Sequence, residues 1–422
     1  MARPLSDSPA SVRRMARPPT VISLFSGAGG LDYGFEAAGF ETRVALEIDA
    51  DCCATLRRNR RWQVIERSIF DVPSKELLWT ADLKRGEADV LIGGPPCQPF
   101  SKSGYWASGD TKRLQDPRAD TLSAYLQVLE DTLPKTFLLE NVYGIAYSGK
   151  NEGCELLLRR IAGINKRQGV RYAPSFKVLK AANHGVPQLR ERFFLIASRD
   201  GATFDFPRQT HWPADELEGL LVSPGPSYRT AWDALGDVRP EPHEDLRVRG
   251  KWADLLPSIP EGHNYLWHTD RGGGLPLFGW RRRFWTFLLK LAKNQPSWTL
   301  QAQPGPAVGP FHWENRRLSM RELCRLQTFP DDVVITGRHA AVHRQLGNAV
   351  PSLLAEVLAR AIRHRLLREQ HPLAGFKLMP PGRPGIPSPC PTASVARKYR
   401  ALEGKHSPHP GTGRGFGAVS RT

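Results

Sequence analysis

Two periodicities take turns along the first half of the chain. "TVISLF" (20–25) is an apolar run closed by the turn "SGAGG", and "LDYGFEAAGF" (31–40) then repeats apolar positions at helical spacing. "TRVALEID" is a second strand that ends in acids and leads into helical "DCCATLRRNR". "ADVLIGG" predicts a third strand, "TLSAYLQVLEDTL" a helix and "TFLLENV" a fourth strand. "CELLLRRIAGINKRQ" predicts a helix, "FKVLKAANHG" a strand and turn, and "RFFLIAS" another strand. Strands alternating with helices at these lengths predict an α/β unit over residues 19–200, a parallel sheet with helices on both faces.

After Arg199 the texture changes. Residues 200–310 are rich in Pro, Gly, Trp and Arg with only short periodic segments, which predicts a second, irregular domain over 201–335. Helical pattern returns in "LSMRELCRLQTF" and "VPSLLAEVLARAIRHRLLREQ", and we expect 336–370 to return to the first domain. Residues 371–422 are Pro/Gly-rich and basic and are expected to form a disordered tail, dispensable for chemistry. Residues 1–18 are set aside as an N-terminal tail; "MARP" at both Met1 and Met15 offers two translation starts.

Composition narrows this picture. The 422 residues suffice for two domains, and no apolar run approaches the roughly 20 residues of a membrane span. The six cysteines form no CxxC pair, which argues against a disulfide framework or a metal cluster and fits a reducing cytoplasm. A net charge of +17 suits a polyanionic partner, because Lys and Arg contacts to phosphate supply most non-specific nucleic-acid affinity.

Candidate chemistry gathers at strand ends. The glycine turn 26–30 follows the first strand and opens a helix, where backbone can approach a ligand closely. Glu47 ends the next strand about 20 residues on, where a carboxylate suits ribose hydroxyls. "GGPPCQPFS" (93–101) places Cys97 on a stiff turn, since Pro restricts φ and Gly frees it. A lone Cys is commonly a small buried hydrophobe, yet polar Gln98, Ser101 and Ser103 follow, and "SKSGYWASGD" suits a moving lid. Glu140 ends the fourth strand, and parallel strands share one carboxyl edge, so Cys97 and Glu140 can converge. "QLRER" supplies Gln188, Arg190 and Arg192, with alternation putting both arginines on one face. With Glu140 they could grip a planar polar ring.

From about residue 20 to 360 the chain resembles the DNA (cytosine-5)-methyltransferases, bacterial restriction–modification type. The resemblance is carried in order by "SLFSGAGG", "GGPPCQPFS", "ENV" at 140–142, "QLRER", "RRLSMRELCRLQTFPDD" and "QLGNAVP". It implies a Rossmann-like S-adenosylmethionine-dependent methyltransferase domain with a smaller target-recognition domain. By resemblance Phe25 and Ile48 pack on the adenine, while Gly27, Gly29 and Gly30 admit the methionine part. Glu47 holds the ribose, Leu122 and Pro95 line the pocket, and Asn348 and Val350 close it. Cys97 is the nucleophile, Glu140 meets the cytosine N3/N4 edge and Arg192 meets O2, with Gln188 and Arg190 in support. Gln98, Ser101, Ser103 and Gln188 are expected on the DNA side.

The family commonly has an Asp-Ile pair after the second strand. Here "RSIFDVPSKEL" aligns Ser68-Ile69 with it, and Asp71 falls three residues later, so either Ser68 or Asp71 meets the adenine amino group. Ile48 stands where a bulky aromatic is common. Sequence reading falls to 201–310, where Arg281, Arg282 and Arg283 sit among Trp280, Phe284 and Trp285; the rings could equally be core. The partner implied is duplex DNA, acted on by a monomer. A cognate restriction endonuclease acting separately fits this organisation, and so does a solitary methyltransferase. A transfer-RNA cytosine-5 methyltransferase and an inactive DNA-binding paralogue are the alternatives; a nicotinamide enzyme lacks the GxGxxG spacing.

Overall fold

The computed structural model describes residues 17–96, 119–142, 152–220, 222–280, 284–370 and 372–405. Cys97, Gln98, Ser101, Ser103, Arg281, Arg282 and Arg283 lie outside the described residues. The strands are β1 (Thr20–Leu24), β2 (Glu41–Glu47), β3 (Gln63–Glu66), β4 (Val90–Gly93), β5 (Thr136–Val142), β6 (Ser175–Lys180), β7 (Gln188–Leu189), β8 (Glu191–Ser198) and β9 (Ser297–Trp298). The longer helices are α1 (Gly30–Ala37), α2 (Ala50–Asn59), α3 (Ser74–Thr80), α4 (Ala119–Thr132), α5 (Glu152–Gln168), α6 (Met320–Leu326), α7 (His339–Asn348) and α8 (Ser352–Arg365).

Seven strands form one sheet in the order β3-β2-β1-β4-β5-β8-β6. β3 to β5 are mutually parallel, whereas β8 runs antiparallel to both β5 and β6. This corrects the all-parallel expectation. The cause is the short link from β6 to β8, which holds only one 3₁₀ turn and β7; a parallel neighbour needs a crossover of a dozen or more residues.

Alternation along each strand feeds two cores. Ile22, Leu24, Leu91, Phe137 and Leu139 face α4 and α5, whose Tyr125, Leu129, Leu157 and Ile161 cover them. Val21, Val90, Ile92 and Leu138 face the other way, under Phe35 of α1 and Leu353, Leu354 and Leu358 of α8. α8 is buried from Ser352 to Ile362 and packs on α1 at Gly34, where a Cβ would run into Ala355 and the Ser352 carbonyl. Residues 318–335 pack with the irregular unit, against Ala231, Leu235, Leu291 and Trp313, and also reach the first domain. Leu318, Leu323, Leu326 and Phe329 share a core with Ala28 and Tyr33 of the glycine-turn region.

The irregular unit has a core of Leu255, Leu256, Ile259, Tyr265, Leu277, Leu288 and Phe311. Tyr399 completes it, which corrects the reading of 371–422 as a disordered tail as far as residue 405. Phe376, Leu378 and Met379 pack on the α8 face of the sheet, and buried Glu356 accepts the Lys377 and Leu378 N–H groups at 2.8 and 2.9 Å. Further on, Arg383 N donates to Asp233 (2.7 Å), Cys390 N to Glu261 (2.7 Å) and Ala393 N to the Pro257 carbonyl (3.0 Å). Sparse anchors at Phe376, Leu378 and Tyr399 and many backbone bonds order a segment that its composition alone would leave unfolded.

Candidate active site

The sheet reverses direction of strand order between β1 and β4, and the carboxyl ends of β1, β2, β4 and β5 open onto one edge. Ligands of open α/β sheets bind in the crevice at such a point. Because β8 is antiparallel, its start reaches the same edge. Glu140 lies opposite Phe194 and Val142 opposite Arg192, so Glu140 and Arg192 are diagonal neighbours on one face. Their side chains pair at 2.9 Å and are only 12 % and 15 % exposed. Burial pushes the Glu140 carboxyl above its ordinary value, against the pull of the Arg192 and Arg190 charges.

The strand that leads to Cys97 is fitted to this pair. A Cβ on Gly94 would come within 2.7 Å of Glu140 Oε2, so the β4 turn passes hard against the carboxylate. Asn141 Nδ2 donates to the buried Pro95 carbonyl at 3.2 Å, and Thr121 Oγ1 to the Pro96 carbonyl at 3.2 Å. Asn141 thus positions the turn that Cys97 follows, a role not assigned from "ENV". Pro95 is a packed anchor here.

The second cluster surrounds the glycine turn. Glu47 accepts Gly27 N–H at 2.7 Å through Oε2, and Ile48 and Asp49 N–H at 2.8 and 2.9 Å through Oε1. A carboxylate has about four lone-pair sites, so acceptor capacity remains for a hydroxyl. Phe25 is half-buried in the left-handed region at φ 53°, a conformation costly for a side chain with a Cβ. Ile48, just past the end of β2, is 67 % exposed. Ser68 and Ile69 are half-buried and Asp71 exposed on a single 3₁₀ turn, and Ser68 Oγ accepts Phe70 N–H at 3.3 Å.

The three glycines divide. Gly27 has φ 54° and open space where a Cβ would stand, as close approach of a ligand requires. Gly29, at φ 86°, faces Leu56 and Tyr33, each 3.0 Å from a Cβ position, and a Cβ on Gly30 would run into the Val350 carbonyl. Gly29 and Gly30 are therefore also required by internal packing. Val350 and Leu122 are likewise buried in the two cores, whereas Asn348 is exposed at the end of α7. α7 is locked to the start and body of α2 by Arg344, which pairs with Asp49 and Asp51, and by Gln345, which accepts from Thr55 at 2.7 Å.

"QLRER" does not present its side chains to one face. Gln188 is fully buried; its amide donates to the Leu326 carbonyl and Gln327 and accepts Leu300 N–H. That corrects its expected place on the DNA side. Arg190 is also fully buried and donates to the Leu300 carbonyl at 3.2 Å and the Gly347 carbonyl at 2.7 Å. It ties the junction of β7 and β8 to Leu300, just past β9, and to α7, and of the two arginines Arg192 is the one that pairs with Glu140. Gln327, which no motif reading singled out, bonds the Leu346 carbonyl and, through its own carbonyl, Ser352 N–H.

Among the described residues no cluster of His, Cys, Asp and Glu could hold a metal ion, and no helix is long and apolar enough to cross a membrane. Burial raises the pKa of the Cys52, Cys53, Cys154 and Cys324 thiols, Cys53 and Cys324 to about 12. None of these four is an activated nucleophile.

The fold is that of a methyltransferase. The structure of Spodoptera frugiperda DNMT2 superposes with a TM-score of 0.55 at 15 % identity, covering 82 % of this chain and 99 % of that one. Residues 19–364 match the family of C-5 cytosine-specific DNA methylases, and the chain belongs to it: this is a DNA (cytosine-5)-methyltransferase. The Type II methyltransferase M.SacI of Streptomyces achromogenes is 42 % identical over 369 residues, 82 % of this chain and 93 % of its own. M1.HphI of Haemophilus parahaemolyticus is 34 % identical, over 81 % of this chain and 86 % of its own.

Proposed function

We propose that the chain moves a methyl group from S-adenosylmethionine to C5 of a cytosine flipped out of a specific duplex sequence, through a transient bond between Cys97 and C6. The observation that carries this reading is the buried Glu140–Arg192 pair set against the Gly94 turn, three residues before Cys97.

The residues present fit the methyl donor. Gly27 leaves free space, Glu47 keeps acceptor capacity, and exposed Ile48 with half-buried Phe25 offers apolar surface for the adenine. Ser68, Ile69 and Asp71 stand at the next strand end, and Asn348 closes from α7. When bound, S-adenosylmethionine supplies an electrophilic methyl group.

Cytosine C5 is a weak nucleophile, and a stacked base hides C6, so the base must leave the helix. The Cys97 thiolate adds to C6, the C5=C6 electron pair shifts toward C5 and N3, and Glu140 holds a proton at N3. Its raised pKa suits that task, and Arg192 stabilises charge at O2 while orienting the carboxyl. After C5 gains the methyl group it loses its proton to a base, the C5=C6 bond re-forms, and the thiolate leaves. The Type II relatives support a restriction–modification setting, with a cognate endonuclease acting separately.

A duplex carrying 5-fluorocytosine tests this, because fluorine at C5 blocks the final proton loss. Enzyme, donor and such a duplex should give a denaturant-stable adduct on Cys97, absent from Cys97→Ala, which still binds donor. An adduct on another cysteine would refute the assignment, and stronger turnover on transfer RNA than on duplex DNA would replace the substrate.

A further inference from the structure

We propose that Arg271, laid against Trp280, reads a guanine edge in the target duplex; the inference rests on the DNA reading above. Arg271 is exposed, and its guanidinium carbon lies 4.2 Å from the centre of the Trp280 ring, which is itself 40 % exposed. Among the described residues no carboxylate pairs with it, the adjacent Asp270 included.

The turn that carries Arg271 is rigid. Gly272 N donates to the Thr269 carbonyl at 3.1 Å, Gly274 N to the Trp267 carbonyl at 2.9 Å, and Arg271 N to Thr269 Oγ1 at 3.3 Å. "GGG" wraps Trp267 closely: a Cβ on Gly272 or Gly273 would run into that residue, and one on Gly274 would stand 2.6 Å from its Nε1. Beneath it, buried His268 bonds Ser258 at 2.8 Å and the Leu275 carbonyl at 3.0 Å. Such a fixed base costs little further entropy when the side chain docks.

Stacking uses the faces of the guanidinium and leaves its N–H edge free in a defined plane. Guanine presents O6 and N7 as a matching pair of acceptors in the major groove. A phosphate contact needs no such orientation. The location also fits. Trp280, Phe284 and Trp285 are exposed rings close in sequence, and Trp285 meets Trp298 edge to face with centroids 5.2 Å apart. Trp298 pairs with Leu189 across β9 and β7, three residues before Arg192. Trp285 therefore adjoins the catalytic edge, five positions along the chain from Trp280.

The test is methylation, by the full-length protein, of a duplex library randomised around a cytosine and read by sequencing. Wild type should give one consensus with a guanine at a fixed position. Arg271→Ala should accept other bases there, with discrimination reduced about 5- to 150-fold, and keep its melting temperature. Arg271→Lys should keep overall DNA affinity without restoring the choice, and Trp280→Ala should relax the same position. Uniform weakening for all sequences, or an unchanged consensus in Arg271→Ala, overturns this inference alone. A wild type that methylates no duplex overturns the DNA reading and this inference with it.

Discussion

Replacing Tyr399 by alanine should unfold the irregular unit far more readily than a tail residue's loss would. The ring is 3 % exposed among Leu255, Leu256, Ile259 and Tyr265 and stacks on Trp252 with centroids 5.6 Å apart and planes 19° apart. Its hydroxyl donates to the Lys251 carbonyl at 2.7 Å. Truncating a buried aromatic costs about 3–5 kcal/mol, and the phenylalanine variant, which loses only the hydrogen bond, about 1 kcal/mol. Ending the chain at Gln370 should cost at least as much. It removes Tyr399 and also strips from buried Glu356 the Lys377 and Leu378 N–H groups, leaving Arg360 as that carboxylate's partner among the described residues. Denaturant unfolding followed by tryptophan fluorescence is the assay, because Trp252 touches the altered ring. The reasoning fails if the alanine and phenylalanine variants unfold alike, or if the truncated chain keeps wild-type stability and activity.

Two further outcomes follow from the buried carboxyls. Glu140→Gln should lower kcat by about 10²- to 10⁴-fold with donor affinity unchanged, as measured by single-turnover methylation and calorimetry; unaltered kcat would remove Glu140 from the chemistry. Burial pushes Asp32 up to about 7 from an ordinary 3.8. The unfolded chain then loses this proton first, so stability should fall as pH rises from about 4 to 7 and level off above, by up to about 4 kcal/mol. Asp32→Asn should flatten that slope in unfolding experiments across the window, and an identical slope would show that Asp32 is not its source.

Much of the sheet was legible because β1, β2, β4 and β5 are each a short apolar run bounded by Gly, Pro or acid, a local signal that survives any tertiary context. β3, α3 and α7 were not called from sequence: "QVIE" is a four-residue edge strand, and α7, "HAAVHRQLGN", has only Val342 and Leu346 as large apolar residues. Cys97, Glu140 and Arg192 stood out by their place at strand ends. The structure brings the second and third together through a register that no local pattern encodes.

What the sequence determined by itself was local: which stretches are strand or helix, where the chain must turn, and which residue types wait at the carboxyl edge. The tertiary structure decided what depends on partners far along the chain. It reversed β8, so that Arg192 meets Glu140. It gave Gly27 to open space and Gly29 and Gly30 to packing, though the three look alike in "GAGG". It buried Gln188 and Arg190 against residues more than a hundred positions away, and it folded the Pro-rich segment before residue 405 onto two cores. The physical reason is that propensity acts between neighbours, whereas burial, close approach and buried hydrogen bonds are set by whichever surface the rest of the chain supplies.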